Sequence, residues 1–558
     1  MKNFKIILLV GLILIITFAA FYPCLKNGFT NWDDDLYVTN NPVIKSFSPQ
    51  NIKQVFTSFF VGNYQPVTML SYLFEYQFIQ LNPFGYHLTN LILHLLNCLL
   101  VFWLIYILTG SISVSWITAI LFSLHPLHVE SVAWVSERKD VLYALFFLAG
   151  IICYCYYLRA KRRGKYYFMS LILFIFSLLS KSMAMTLPLV LLLIDYLNNR
   201  KVNKRMFLDK VPFFILSFVF GALAVFGQYS GGFVRKSISS GAFSILTVPS
   251  YSILFYLNKI FLPVNLSCFY PQNWPGGMVS GLLYFCILMV LFFGVIFSGK
   301  YTKKIVFGSL FFLTVALPIL QFIPIGETIV ADRYVYLASI GVFYLFAEGY
   351  VWLYRKKKPS RLQAGFLTLL FVLIVIILGA LTQSRCRVWK DSVVLWNNAL
   401  KDYPDAVTAY NNRGTELLAR KEYNLADADF TKAIKINPNY SKAYYNRGVV
   451  YYEQNNFSPA LLDFNKAIEI NPGYFDAYYN RGLTYYQQNN FTQAIADFNK
   501  AIEINPGSAG VYNNRGVVYF LEKEYALAWA DVHKAGKLGY AVNPEFITEL
   551  KKASGRNE

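Results

Sequence analysis

Eleven stretches of about 20 apolar residues, the length that crosses a hydrocarbon core, leave this chain few ways to fold. They lie near residues 5–22, 86–108, 112–127, 140–158, 166–181, 183–197, 211–228, 278–297, 304–323, 334–353 and 362–381. In lipid every backbone N–H and C=O needs an internal partner, so stretches of this kind become helices. The chain has 558 residues, of which 56% are hydrophobic and only 15% charged, too apolar for a soluble protein of this length. The expectation is an all-α, multi-pass membrane protein.

The formal charge of +20 would suit a nucleic-acid binder if it were spread over one face. Instead the cations gather in short runs between apolar stretches: "RAKRRGK", "NNRKVNKR", "SGKYTKK" and "YRKKKPSR". That is the positive-inside pattern, and no nucleic-acid partner is expected. Counting the apolar segment near 243–263 as a span would put two of these runs outside, so it is read as re-entrant or interfacial. With the N-terminus cytoplasmic and the first apolar run retained as an anchor, all four runs then face the cytoplasm. The loop 23–85, the segments "HPLHVESVAWVSERKD" and "IPIGETIVADR", and the whole C-terminus share the outer side. Seven cysteines lie mostly inside apolar segments, without metal-ligand spacing and without the look of a disulfide framework. Cys24 and Cys268 are the pair that could meet outside the membrane.

After Leu381 the composition turns polar and aromatic, and a period emerges. Gly414, Gly448, Gly482 and Gly516 recur every 34 residues, as do Pro404, Pro438, Pro472 and Pro506. Small residues at Ala426, Ala460, Ala494 and Ala528, and at Ala433, Ala467, Ala501 and Ala535, fall where two antiparallel helices must approach closely. Residues 405–540 resemble tetratricopeptide repeats, an α-solenoid. The fourth unit departs, with Val532 at an aromatic position and Tyr540 where proline is expected, as befits a capping unit. The chain divides accordingly into a membrane domain (1–382), a connecting half-repeat (383–404), the repeats (405–540) and a tail (541–558). Asn412, Asn446, Asn480 and Asn514 recur on one face of the solenoid. Such a ladder can hold an acceptor peptide's backbone, or it can bridge neighbouring helices.

The outer loop 23–85 opens with "NGFTNWDDDLYVTNN", three adjacent carboxylates in a partly apolar setting, and carries the amphipathic pattern "SPQNIKQVFTSFF". A loop of that length is uncommon without a function. Carboxylates placed there lie near the lipid headgroups, within reach of a lipid-borne substrate whose acceptor hydroxyl needs a base.

Five motifs, "DDDLYVTNNP", "YQPVTMLSY", "LNPFGYHLTNLILHLLN", "HPLHVESVAWVSERKDVL" and "ADRYVYLAS", taken in order, resemble the membrane half of the transmembrane and tetratricopeptide-repeat-containing proteins. These stand with the polyprenyl-phosphate-dependent glycosyltransferases of the GT-C fold, including protein O-mannosyltransferases. The resemblance implies a GT-C-type helical domain and an inverting transfer of a sugar, mannose in the best-known members. The donor is a polyprenyl-phosphate sugar in the membrane and the acceptor a protein Ser or Thr hydroxyl on the outer side. The family's acidic pair maps onto Asp33 and Asp34, with Asp34 expected as general base and Asp33 supporting it. Asp35 falls where a nonacidic residue is expected.

A phosphate leaving group calls for fixed cations opposite the base. Arg333 is the first candidate, with Arg138 and Lys139 of "SERKD" beside it, and the alternative for each is an interfacial anchor. His125 and Glu130 are expected to shape the pocket. His125, His128 and Glu130 also have a metal-like spacing, but the first His precedes a proline at a helix end, so no metal site is assigned. His87 and His94 are expected to pack against neighbouring spans. Tyr64, Gln65 and Pro66 stand where an arginine-containing triplet is expected; Lys181 could compensate or could be a turn residue. No cofactor is assigned, though divalent-metal dependence is left open. Two other readings stay open: a GT-C transferase with a lipid or glycan acceptor, and a nonenzymatic membrane scaffold. The composition suggests a bacterial plasma membrane with periplasmic or extracellular repeats; an endoplasmic-reticulum membrane with luminal repeats has the same topology.

Overall fold

The computed structural model describes residues 2–160, 163–232, 242–271, 278–322, 328–356 and 359–556. The chain forms two compact units, Met1–Tyr403 and Pro404–Glu558. Both are helical, and among the described residues the only β contact is a single bridge between Phe60 and Asn63.

Among the described residues of the first unit six helices are long and apolar enough to cross a membrane: Phe4–Lys26, Pro83–Thr109, Val135–Arg159, Lys204–Ser230, Val279–Ser298 and Arg361–Val388. A seventh is the bent pair Ile112–Leu124 and Pro126–Ala133, broken by 56°. Shorter apolar helices, Gly164–Ser180 and Ser182–Leu197, cover two more of the expected stretches. The ambiguous segment forms the helix Ala242–Phe261 with Pro249 inside it.

Local chemistry sets the helix ends. Asn82 accepts a hydrogen bond from the Phe84 N–H ahead of Pro83, and Gly110 closes the same helix in the left-handed conformation at φ 65°. Ser360 and Gln363 form a capping box on Arg361–Val388. Gly308 and Gly341 let Lys303–Ala316 and Ser339–Lys356 approach until a Cβ on Gly341 would collide with the Gly308 carbonyl. That close approach fixes the helix that follows Arg333.

The loop 23–85 has a core of its own, built from Tyr37, Val38, Ile44, Val55 and Met69 and closed by Tyr86 of the following helix. Its amphipathic pattern becomes the helix Pro49–Thr57, capped by Ser48, with Val55 turned into that core. The expected half-repeat 383–404 forms the helix Ser392–Asp402, which belongs to the first unit and packs on this loop. The Asn27 amide donates to the Cys386 carbonyl at 3.0 Å, the Gly28 N–H to Lys390 O at 2.9 Å and the Trp396 indole to Asn31 Oδ1 at 2.8 Å.

The second unit stacks four helix pairs, from Val407–Ala419 with Tyr423–Ile436 to Ala509–Leu521 with Tyr525–Lys537, and ends on the helix Pro544–Ser554. A Cβ on Gly414, Gly448 or Gly482 would lie 2.7–2.8 Å from the ring of Phe430, Phe464 or Phe498. In the fourth pair Val532 leaves that contact loose, at 3.8 Å from a Cβ on Gly516. Each repeat is clamped by a two-pronged arginine–aspartate pair, Arg413–Asp429, Arg447–Asp463, Arg481–Asp497 and Arg515–Asp531. Arg481 also reaches back to Asn465 of the preceding unit at 2.5 Å. Arg481→Ala would strand Asp497, which is nearly buried, and is expected to destabilise the array by about 2 kcal/mol. Faster proteolysis within the repeats of the full-length protein checks this.

Candidate functional site

Asp34 ties the loop 23–85 to the turn Val135–Glu137 that opens Val135–Arg159. Its Oδ2 accepts from the Thr30 N–H at 2.8 Å and from the Thr30 hydroxyl at 3.1 Å. Its Oδ1 accepts from the Ser136 N–H at 2.9 Å and from the Ser136 hydroxyl at 2.5 Å. The residue is 1% exposed, and both carboxylate oxygens are occupied. Burial pushes its carboxyl up, against the pull of the Ser136 and Thr30 hydrogen bonds. Four donors make this carboxylate an anchor for the loop, whereas the base expected at Asp34 needs an oxygen free to take a proton.

Asp33 is different. It is half-buried, and among the described residues its carboxyl has no hydrogen-bond or ion-pair partner. Burial raises it from 3.8 to about 7; the charges of Lys139 and Arg333 oppose the rise, and those of Glu137 and Asp34 add to it. A carboxyl poised there can take a proton near neutral pH. The folded state therefore holds a proton that the unfolded state releases between pH 3.8 and about 7, so this group costs stability as pH rises through that window.

Three cations converge on Glu137, and the charges of two of them, Lys139 and Arg333, act on Asp33. Lys139 Nζ lies 3.1 Å and Arg333 Nε 3.1 Å from its Oε1, and Lys181 Nζ 3.4 Å from its Oε2. Lys181 also pairs with Asp140 at 2.6 Å, and Ser131 donates to the second oxygen of Asp140. Arg333 is further held by an ion pair to Glu130, whose other oxygen accepts the Arg333 N–H at 3.1 Å. Its guanidinium covers the Trp134 ring at 5.2 Å, and Lys139 Nζ lies 4.9 Å from the Tyr37 ring centroid. Glu130 thus positions Arg333.

Arg138 is not part of this group. It is fully buried and bonded to Glu75, to Asn90 Oδ1 at 2.9 Å and to the Tyr86 carbonyl at 3.0 Å, with its plane 4.6 Å from the Tyr72 ring. Each of its three nitrogens already has a protein partner, so in this structure it stands apart from the cations on Glu137 and ties helices together instead. His125 accepts the Leu127 N–H and meets the Ile260 carbonyl at 2.9 Å; His128 lies between the Phe122 carbonyl and Ser339. The two rings and Glu130 face different partners, and among the described residues no group of three His, Cys, Asp or Glu is placed to hold a metal. His94 packs against Tyr336 and Ser123, and His87 meets the Gly28 carbonyl. Gln65 is buried with its amide nitrogen unpartnered. All seven cysteines are free; the Cys386 thiol meets Cys24, so Cys24 and Cys268 are not a pair.

In the repeats, the Asn446 amide donates to Asn411 at 2.9 Å, Asn480 to Tyr445 at 2.8 Å and Asn514 to Tyr479 at 2.7 Å, each in the preceding unit. Asn412 accepts from its neighbour Asn411. Bridging between helices is thus what the ladder does in this structure.

Glu137, Asp140, Thr30 and Ser136 escaped the sequence reading. For Glu137, Asp140 and Ser136 the one signal was the density of charge in "SERKD" at the end of a span, where ionised groups persist only when paired; Thr30 carried none.

A unit of long apolar helices holding a cluster of buried acids and cations, followed by a helical repeat array, defines a multi-pass membrane protein carrying a tetratricopeptide solenoid. Family models described as tetratricopeptide repeat match residues 441–474 and 475–508, and one described as TPR repeat matches 414–455. The chain is similar to a protein O-mannosyl-transferase of Caenorhabditis elegans, 25% identical over 432 residues, which is 72% of this chain and 59% of that protein. It is also similar to protein O-mannosyl-transferases of Homo sapiens: TMTC3, 23% identical over 77% of this chain and 51% of that protein, and TMTC4, 24% identical over 74% and 63%. The chain spans less than two thirds of the length of each. Among solved structures it is similar to MamA, 25% identical, covering 29% of this chain and 89% of that one with a TM-score of 0.25.

Proposed function

We propose that this protein is a membrane glycosyltransferase that moves a sugar, mannose in the first instance, from a polyprenyl-phosphate donor to Ser or Thr hydroxyls of protein acceptors. The observation that carries the reading is Asp33, a half-buried carboxyl without a hydrogen-bond or ion-pair partner among the described residues, raised to about 7 by burial and lying within the electrostatic reach of Lys139 and Arg333, two of the cations gathered on Glu137. Similarity to proteins named O-mannosyl-transferase supports the same reaction class.

Asp33 takes the proton of the acceptor hydroxyl as its oxygen attacks the anomeric carbon from the face opposite the phosphate, inverting that centre. Arg333, Lys139 and Lys181 meet the phosphate as the bond to it breaks, and Arg333 offers the planar fork that suits its oxygens. Asp34 fixes the loop that carries the base. The solenoid holds the acceptor segment, with the asparagine ladder setting the spacing of the repeats. The N-terminus lies in the cytoplasm and the site on the outer face, the arrangement that keeps all four basic runs inside.

A pH profile tests the base. Transfer at low donor concentration should rise tenfold per pH unit below about 7 and level off above it, because only ionised Asp33 accepts a proton. A profile flat from pH 5 to 8 would remove Asp33 from the mechanism.

A further inference from the structure

Ten buried side-chain nitrogen or oxygen atoms lack a hydrogen-bond partner among the described residues, and five of them fall in one place. They are the indole N–H groups of Trp32, Trp134 and Trp389, one guanidinium nitrogen of Arg385 and one carboxylate oxygen of Asp332. Trp134 stacks between Trp32, at 6.2 Å, and Trp389, at 5.4 Å, while Arg385 lies one helical turn before Trp389. The unsatisfied Arg385 Nη2 and Asp332 Oδ2 are 3.9 Å apart, too far for a hydrogen bond to each other. Phe269 contacts Trp32, and the next residue, Tyr270, donates to the other oxygen of Asp332 at 2.6 Å, so one short segment joins the two halves. Native interiors rarely leave buried polar groups unpaired, and here several do so together.

The chemistry of this set is specific. Indole and guanidinium only donate and an ionised carboxylate only accepts, so the cradle offers four donors and one acceptor. Hydroxyls both donate and accept, and Arg385 with Asp332 presents one donor and one acceptor side by side, as adjacent hydroxyls require. The two charges offset each other, which favours a neutral polyol over a phosphate. Position adds a second argument. Trp32 precedes Asp33, and Asp332 precedes Arg333, so the same two segments carry both the cradle and the groups assigned to the reaction.

We propose that this tryptophan–arginine–aspartate cradle binds the hexose of the lipid-linked donor, with Asp332 and Arg385 holding adjacent hydroxyls. The proposal rests on the glycosyltransferase reading for its ligand. Its test is a titration of purified full-length protein in detergent, followed by tryptophan emission, with polyprenyl-phosphate mannose and with bare polyprenyl phosphate of the same chain length. The sugar-bearing lipid should give a saturable emission change that the bare lipid does not. Trp389→Phe should remove most of that change. Asp332→Asn should weaken binding of the mannose lipid about tenfold and leave the bare lipid unaffected, a split that a loss of packing alone would not produce. Equal responses to the two lipids, no response to either, or equal weakening by Asp332→Asn would overturn the proposal. A sugar-dependent response without hexose transfer to protein would leave the cradle standing and count against the assigned reaction instead.

Discussion

Asp33→Asn is expected to slow transfer by about 10²–10⁴-fold, the usual contribution of a general base, while the protein unfolds at the temperature of the wild type or slightly above. The substitution keeps the shape of the side chain and removes only its capacity to take a proton. Its fold should tolerate the change because no described hydrogen bond or ion pair depends on the Asp33 carboxyl and because burial already disfavours its charge. Asp34→Asn makes the informative comparison. One of its oxygens becomes an NH₂ facing donors from Thr30 or Ser136, so the loop itself should loosen and activity should fall together with thermal stability. Single-turnover rates and unfolding temperatures on the two variants separate base from anchor. An inactive but fully stable Asp34→Asn beside an active Asp33→Asn would reverse the assignment.

Arg138→Ala is expected to destabilise the membrane unit by about 3–5 kcal/mol, the cost of leaving a buried charge without its partner. Glu75, 10% exposed in its side chain, would lose its cation, and Asn90 and the Tyr86 carbonyl would lose their donor. Activity should disappear with the fold and return in proportion as folded protein is recovered at lower temperature. A stable Arg138→Ala protein with a raised KM for the lipid donor would restore this residue to the phosphate site. Lys139→Ala should behave differently: Glu137 keeps Arg333 and Lys181 when the Lys139 ammonium is lost, so donor use should suffer before stability does.

These contrasts mark what could be read from the sequence. Hydropathy exposed the long spans because a 20-residue apolar run has one solution in lipid, and the 34-residue period exposed the solenoid because in the first three units each glycine must admit the phenylalanine of its own repeat, as Gly448 admits Phe464. Asp33 and Arg333, 300 positions apart, were placed on one side of the membrane by counting spans. Neighbours within a motif were harder to separate. Arg138 and Lys139 adjoin in sequence, but successive helix residues point about 100° apart, which sends one toward Glu75 and the other toward Glu137. The central role of Glu137 was hidden because its cations come from residues 139, 181 and 333, a meeting that only tertiary packing creates. The asparagines stayed open for a related reason. Their one-face recurrence is real, yet Asn446, Asn480 and Asn514 each find a partner in the previous repeat, 35 positions back, and spacing alone cannot distinguish such a bridge from a binding ladder.

The central claim is tested most directly by incubating purified full-length protein in detergent with polyprenyl-phosphate mannose and extracellular-side proteins of its own host, then locating the sugar by mass spectrometry. The account expects a hexose on Ser or Thr of protein with the wild type and none above background with Asp33→Asn. Mannose found only on lipid or glycan, or no turnover of any polyprenyl-phosphate sugar, would contradict it.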